Sequence, residues 1–266
     1  MKLPRRHRDP VEMIIGAIPT VAVVSPKGGN GKTTVSSNLA VALSRRTESI
    51  IVDLDVHFGD VEYALRMQPT YRLDDLVIQR SERDPVSMLS AHPSGLDVLC
   101  APQDPVSADR LSTQDVFAVV DDLLRTNRPV IFDTAGGISD FSLEALDRAT
   151  RVVLMCGTDV PSVQAAKKLL STMEQLGMGL GHVDLLVNRS DSNVGLSVAD
   201  VEAAVGRPAV LTVPEHSSLA AGMNSGSPVT ESSPRSSIAV GFQSYADALL
   251  DLSAPAARND RLEAVR

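Results

Sequence analysis

The chain has 266 residues, 43% of them hydrophobic, 22% charged and 3% aromatic, with a net charge of −8. That apolar share excludes a disordered chain. The length suits one large α/β domain or two small ones, burying roughly three quarters of the unfolded surface without covalent staples. Cys100 and Cys156 have neither a disulfide framework nor metal-finger spacing, which points to a reducing compartment. The acidic balance argues against nucleic-acid binding by default. The absence of Trp, with three Tyr and five Phe, argues against a base-stacking platform as well. The exception to the acidic character is residues 1–17, where Lys2, Arg5, Arg6 and Arg8 read as a solvated basic tail. A weak anchor to an anionic surface is the sharper alternative. The run VEMIIGAIPTVAVV after this tail imitates a secretory signal, but Glu12 and Pro19 interrupt it and no apolar run reaches the ~18 residues of a membrane span. A cytoplasmic protein is expected.

In chain order, short β-branched runs alternate with longer helical stretches. Strands are expected over Val21–Ser25, Ser49–Asp53, Leu96–Ala101, Pro129–Asp133, Arg151–Cys156, His182–Val187 and Ala209–Leu211. Most are continuously apolar, as in a parallel sheet buried on both faces. Helices are expected over Gly31–Arg46, Gln114–Thr126, Pro161–Leu176, Ser197–Val205 and Ser237–Leu250. Ser112 with Asp115 resembles a capping box. Pro161 and Gly177 bracket a helix whose Val163, Ala166, Leu169, Leu170, Met173 and Leu176 keep helical spacing. The alternation predicts a doubly wound, mostly parallel α/β sheet with helices on both faces and right-handed crossovers. One domain is expected over 18–252, followed by a fraying tail over 253–266.

Four strand ends carry chemistry. After the first strand comes Pro26-Lys27-Gly28-Gly29-Asn30-Gly31-Lys32-Thr33-Thr34. Glycines let backbone N–H groups turn toward phosphate oxygens, and the following helix N-terminus adds partial positive charge. Lys32 can reach β- and γ-phosphates, and the Thr33 hydroxyl can ligate Mg²⁺. The usual pattern has Gly where Pro26 stands, and Lys27 is an extra lysine at the loop entrance. The second strand ends in Asp53-Leu54-Asp55, two carboxylates that can serve a metal and orient a water, or merely cap the next segment. A third apolar strand ends in Asp133-Thr134-Ala135-Gly136-Gly137, the place of a magnesium-serving carboxylate followed by a turn able to sense a γ-phosphate. The fourth ends in Asn188-Arg189. An Asn amide there can pair with an adenine edge, or simply sit in a turn, and Pro214-Glu215 can wall the base. The five histidines show no metal spacing, and no G-x-S-x-G elbow supports a serine hydrolase.

Together, Lys27-Gly-Gly-Asn-Gly-Lys32-Thr-Thr and Asp53-Leu-Asp55 resemble the deviant Walker A ATPases of the ParA/MinD superfamily, from about Ile18 to Leu250. Asp53-Leu-Asp-Val-His-Phe-Gly-Asp60, His92-Pro-Ser-Gly-Leu-Asp-Val-Leu99 and Thr158-Asp-Val-Pro-Ser-Val163 look most like the CpaE/TadZ pilus-assembly branch. The resemblance implies a P-loop fold, ATP and Mg²⁺ as cofactors, and a homodimer in the ATP state. It implies that Lys27 reaches the partner's nucleotide, Lys32 holds the β/γ-phosphates, Thr33 the Mg²⁺ and Thr34 the α-phosphate. Asp55 would position the attacking water, Asp53 and Asp133 would serve the metal through its waters, and Asn188 and Pro214 would frame adenine. A slow ATPase switch is implied, acting on a protein partner in a pilus or secretion assembly, at a cell pole or at the membrane through that partner. Branch members carry a receiver-like domain that the roughly twenty residues before the first strand cannot supply. The tail from Ala254, with only Leu262 and Val265 as large apolar residues, argues against stable membrane anchoring. A DNA-partitioning ATPase and a non-hydrolysing scaffold are the alternatives.

Overall fold

The computed structural model describes residues 18–191 and 195–253. The expected basic tail 1–17 and the stretch after Ser253 lie outside the described residues. In chain order the elements are β1 (Thr20–Val24), α1 (Lys32–Ser44), β2 (Ser49–Leu54), α2 (Val61–Ala64), α3 (Leu73–Gln79), β3 (Ser90–Ala91), β4 (Leu96–Leu99), α4 (Pro105–Ala108), α5 (Thr113–Leu124) and β5 (Val130–Thr134). They continue with α6 (Asp140–Arg148), β6 (Arg151–Cys156), α7 (Val160–Gln175), β7 (Val183–Asn188), α8 (Val198–Val205), β8 (Ala209–Val213), α9 (Ser217–Ser225), α10 (Val229–Ser232) and α11 (Ser237–Ser253).

The strands form one eight-stranded sheet in the order β3-β4-β2-β5-β1-β6-β7-β8. All neighbours pair in parallel except the short β3, which turns back antiparallel on β4. The expected doubly wound, mostly parallel α/β fold is what forms. The continuous apolar runs have the predicted cause. Side chains alternate between faces with period two, and both faces are covered. Val21 and Val23 of β1 join the layer of Leu39, Leu43 and Phe242, beneath α1 and α11. Ala22 and Val24 join Val116, Val120 and Val163, beneath α5 and α7.

Several elements differ from expectation for local reasons. β1 stops at Val24 because Ser25 leaves the ladder to anchor the phosphate loop. β8 runs on to Val213, pairing with Asn188 of β7. α6 comes after Gly136-Gly137, where the composition reads as a turn, yet Ser139 and Ser142 bond reciprocally and start a helix. α9 hides behind Gly222 and an unusual cap, the His216 ring nitrogen accepting the Ser218 N–H at 3.1 Å. At α5 the Ser112 hydroxyl accepts the Asp115 N–H, but the Asp115 carboxylate binds that hydroxyl rather than a backbone N–H, so only half of the capping box exists.

Among the described residues, no helix is long and apolar enough to cross a membrane. The C-terminal ends of the parallel strands converge on one rim, where an open α/β sheet presents its binding crevice.

Candidate nucleotide site

The loop between β1 and α1 is tied down from three directions. Its Ser25 hydroxyl accepts the Asn30 Nδ2 at 2.8 Å and the Lys27 N–H at 3.4 Å. The Ser25 carbonyl accepts the Gly137 N–H at 3.0 Å, which joins the loop to the segment after β5. From the end of β7, Asn188 donates its Nδ2 to the Asn30 carbonyl at 2.8 Å. Gly136 packs so closely on the loop that a Cβ there would lie 2.8 Å from the Gly28 nitrogen. By contrast a Cβ on Gly28 or Gly29 would meet nothing within 4 Å. That side of the loop is open space, as a phosphate cradle requires. Gly29 and Gly31 take φ of 75° and 80°, a left-handed backbone that glycine adopts without strain.

The loop ends on the N-terminus of α1, whose cap Gly31 supplies no side-chain acceptor. Every other described helix of eight residues or more has a side chain accepting a first-turn N–H: Ser112, Ser139, Asp159, Ser197, His216 and Ser236 do this in turn. The first-turn N–H groups of α1 are thus left for an anion. Lys32 sits in this first turn with only 7% exposure. Thr33 and Thr34 come next, half-buried, and Lys27 stands exposed at the entrance.

Opposite the loop, Asp53 of β2 and Asp133 of β5 lie side by side in register and are fully buried. They end differently. Asp53 Oδ1 accepts the Asp55 N–H and Oδ2 accepts the Val61 N–H, each at 3.1 Å. Asp53 therefore holds the start of α2, the capping role left open by its sequence. Burial, then the Asp133 charge, pushes its pKa well above the usual carboxylate range. Neither oxygen of Asp133 has a hydrogen-bond partner. Burial pushes its pKa up to about 6, against the pull of the neighbouring Thr33 and Ser36 hydroxyls and the Lys32 ammonium. A buried carboxylate with unspent acceptors, flanked by Thr33 and a phosphate cradle, fits Mg²⁺, which binds through one or two carboxylates plus substrate phosphates. Among the described residues no cluster of three or more His, Cys, Asp or Glu is placed to hold a metal. Asp55 lies half-buried just past β2.

On the far side, Asn188 turns its amide toward the phosphate loop, and its Oδ1 accepts the Arg189 N–H at 3.0 Å. Arg189 is exposed at φ 55°. The Glu215 N–H donates to Asp191 at 2.6 Å, joining the β7 and β8 loops, with Pro214 half-buried between. The structure thus brings Lys32, Thr33, Thr34, Asp55 and Asp133 to one rim and sets Asn188, Pro214 and Glu215 at its other end.

Some contributors were not legible in advance. Gly59 packs directly on the Asp53 carboxylate, where an added Cβ would also lie 2.5 Å from the Ala101 Cβ. Its only signal is a Gly inside Phe58-Gly59-Asp60. His57 pairs with Asp109 at 3.0 Å, pinning this loop to the end of α4. Asp159 is the cap of α7. Its carboxyl is held below the usual range by the Ser162 hydroxyl and N–H and by the nearby Lys27 charge. Both thiols are buried, and burial pushes Cys100 up to about 12 and Cys156 up to about 11. Neither is an available nucleophile at neutral pH.

A glycine-rich loop feeding an uncapped helix, with a strand-end carboxylate facing it, defines a P-loop nucleotide-binding domain. The family model of the CobQ/CobB/MinD/ParA nucleotide binding domain matches residues 21–229, and the chain belongs to that family. It is 23% identical over 219 residues to the septum site-determining protein MinD of Thermotoga maritima, covering 79% of this chain and 80% of that one. Its fold is similar to a ParA family ATPase from Chlorobium tepidum, with a TM-score of 0.80, 21% identity, and 86% and 99% of the two chains covered. It is also similar to the Pyrococcus horikoshii MinD solved with Mg-ADP, with a TM-score of 0.78, 19% identity, and coverage of 88% and 96%.

Proposed function

We propose that this chain binds ATP with Mg²⁺ and hydrolyses it slowly as a homodimer, and that the dimer is the signal-bearing state of a positioning switch. The observation that carries this reading is the preformed phosphate loop and uncapped α1 facing the orphaned Asp133. Gly28 to Gly31 and the first turn of α1 receive the phosphates, and Lys32 neutralises the β- and γ-oxygens. Thr33 would hold the Mg²⁺ and Asp133 would serve it through its waters, with Asp53 beside them holding the turn into α2. When bound, the ion supplies charge neutralisation across the β- and γ-phosphates. Asp55 orients the water that attacks the γ-phosphorus. The bond to the β–γ bridging oxygen breaks, leaving ADP and phosphate. Exposed Lys27 reaches the partner's nucleotide, acting like an arginine finger in trans, so that dimerisation and hydrolysis are coupled. ATP then favours the dimer and hydrolysis releases it. Thr34 binds the α-phosphate, and Arg189, Pro214 and Glu215 edge the base.

The machine positioned is, on this reading, of the Flp/Tad pilus or secretion type, as in the CpaE/TadZ branch, with a protein partner stimulating hydrolysis. Support comes from the three quoted stretches. Two of them, 53–60 and 158–163, lie on the binding rim and carry exposed Phe58 and Val160.

Light scattering after size exclusion tests the switch, in Mg-ATP and Mg-ADP. We expect ATP to give a dimer, Asp55→Ala to trap it and Lys27→Ala to abolish it. A mass unchanged in every state, without hydrolysis, makes the chain a scaffold. Salt-sensitive DNA retention in ATP but not ADP would move the assignment to DNA partitioning.

A further inference from the structure

We infer that Asn188 is a positioning residue for the phosphate loop and not primarily a reader of the base. The inference rests on the nucleotide-binding reading above. Asn188 ends β7, two strands away from β1 in the sheet. Its Nδ2 nevertheless donates to the Asn30 carbonyl at 2.8 Å, and its Oδ1 accepts the Arg189 N–H at 3.0 Å. These two bonds fix the orientation of the amide. A flip would set N–H against N–H and oxygen against oxygen.

Peptide geometry carries this contact into the cradle. Every described peptide is trans, so the Asn30 carbonyl and the Gly31 N–H point in opposite directions within one plane. Drawing the carbonyl toward β7 turns the Gly31 N–H away from Asn188 and into the loop, where phosphate oxygens would bind. The approach is close. A Cβ on Gly31 would lie 2.8 Å from the Asn188 Nδ2, and Gly31 has φ of 80°, so glycine is required here for space as well as for backbone. The Asn30 side chain is anchored on the other side by Ser25, at 2.8 Å. Asn30 is therefore gripped from β1 and from β7, and the peptide after it is preset before any ligand arrives. Such presetting lowers the ordering cost of binding.

A positioning role and a base-reading role predict different ligand profiles. The full chain is titrated by calorimetry with Mg-ATP, Mg-GTP and magnesium tripolyphosphate, as wild type, Asn188→Ala and Asn188→Asp. The Asp variant keeps the acceptor for Arg189 and the volume but loses the donor to Asn30 and adds a negative charge, so the uncharged Asn188→Ala must show the same fall for the positioning role to stand. We expect affinity for all three ligands to fall together, by roughly tenfold, the worth of one well-made hydrogen bond. The ratio of ATP to tripolyphosphate affinity should stay constant, and the melting temperature without ligand should fall by no more than the few degrees that one lost hydrogen bond accounts for. If ATP weakens while tripolyphosphate does not, Asn188 reads the base and the inference fails. It fails too if no ligand weakens, or if affinity falls only in step with a collapsed melting temperature in both variants. A wild type that binds none of the three would instead sink the nucleotide reading itself.

Discussion

β2 and β5 are neighbours with similar sequences, Ile50-Ile51-Val52-Asp53 against Val130-Ile131-Phe132-Asp133, in register and equally buried. They put their terminal carboxylates to opposite uses. Asp53 spends its oxygens on the N–H groups of Asp55 and Val61, and so builds the turn into α2. Asp133 spends neither. The same residue at the same strand position is a structural cap in one case and an unsatisfied acceptor in the other. The difference lies in the path of the chain beyond each strand. After β2 it folds back over Asp53 through Gly59, whereas after β5 it runs to Gly136 and onto the phosphate loop. A buried carboxylate with unspent oxygens costs stability even beside the Lys32 ammonium, so Asp133 is the one that a further cation would relieve.

The comparison breaks most severely at Gly59. In Gly59→Ala the new methyl would strike the Asp53 carboxylate and the Ala101 Cβ together. Neither neighbour is a flexible side-chain end, so the loop must lift and Asp53 must lose its backbone bonds. We expect a loss of about 2–4 kcal/mol in a denaturant melt. A loss below about 0.5 kcal/mol would mean that the loop after β2 does not depend on Asp53.

Asp133→Asn should move stability the other way. It removes a buried charge that the Lys32 ammonium offsets only in part, at constant volume, and without ligand we expect about 1–3 kcal/mol of added stability at pH 7. Its thermal shift on adding Mg-ATP over ATP with EDTA should vanish, while the wild type keeps it. If the variant is destabilised and still responds to magnesium, Asp133 is not the metal-serving carboxylate.

The pH dependence sharpens the same point. Asp133 has its pKa raised in the folded chain from 3.8 to about 6, so the folded state binds its proton more tightly than the unfolded one. Its contribution to stability is fully present below about pH 4 and is lost as the pH rises through about 6. Melts without ligand should therefore show wild type losing stability between about pH 4 and about pH 6.5 relative to Asp133→Asn. A difference that is flat over that range would contradict the raised pKa.

How much of this was legible depends on the range of the interaction. The phosphate loop, the parallel sheet and the positions of Asp55, Asp133 and Asn188 follow from local patterns: glycines before a helix, and apolar runs ending in a polar residue. The choice between the two readings of Asp53, and the contact that Asn188 makes there, did not, because their partners are the Val61 N–H and the Asn30 carbonyl. Backbone groups leave no trace in a sequence. α6 and α9 were missed for a related reason. Ser139 and His216 cap them, but the glycines at 136, 137 and 222 outweigh those caps in any reading of composition. Gly59 and Gly136 show the converse. Each is an ordinary loop glycine in sequence and a tight contact in space.

Lys27→Ala should have the smallest effect on the fold. The side chain is exposed, and within its own chain it presents a charge to Asp159, whose pKa is set first by the Ser162 hydroxyl. Surface charges of this kind are worth within about 0.5 kcal/mol of stability. The melting curve without nucleotide should therefore overlay that of wild type, while ATP-dependent dimerisation is lost. That pairing separates Lys27 from Asp133, where ligand response and intrinsic stability change together. A Lys27→Ala chain that melts early would mean that the entrance lysine braces its own protomer through α7, and its loss of dimer would then no longer speak for a role in trans.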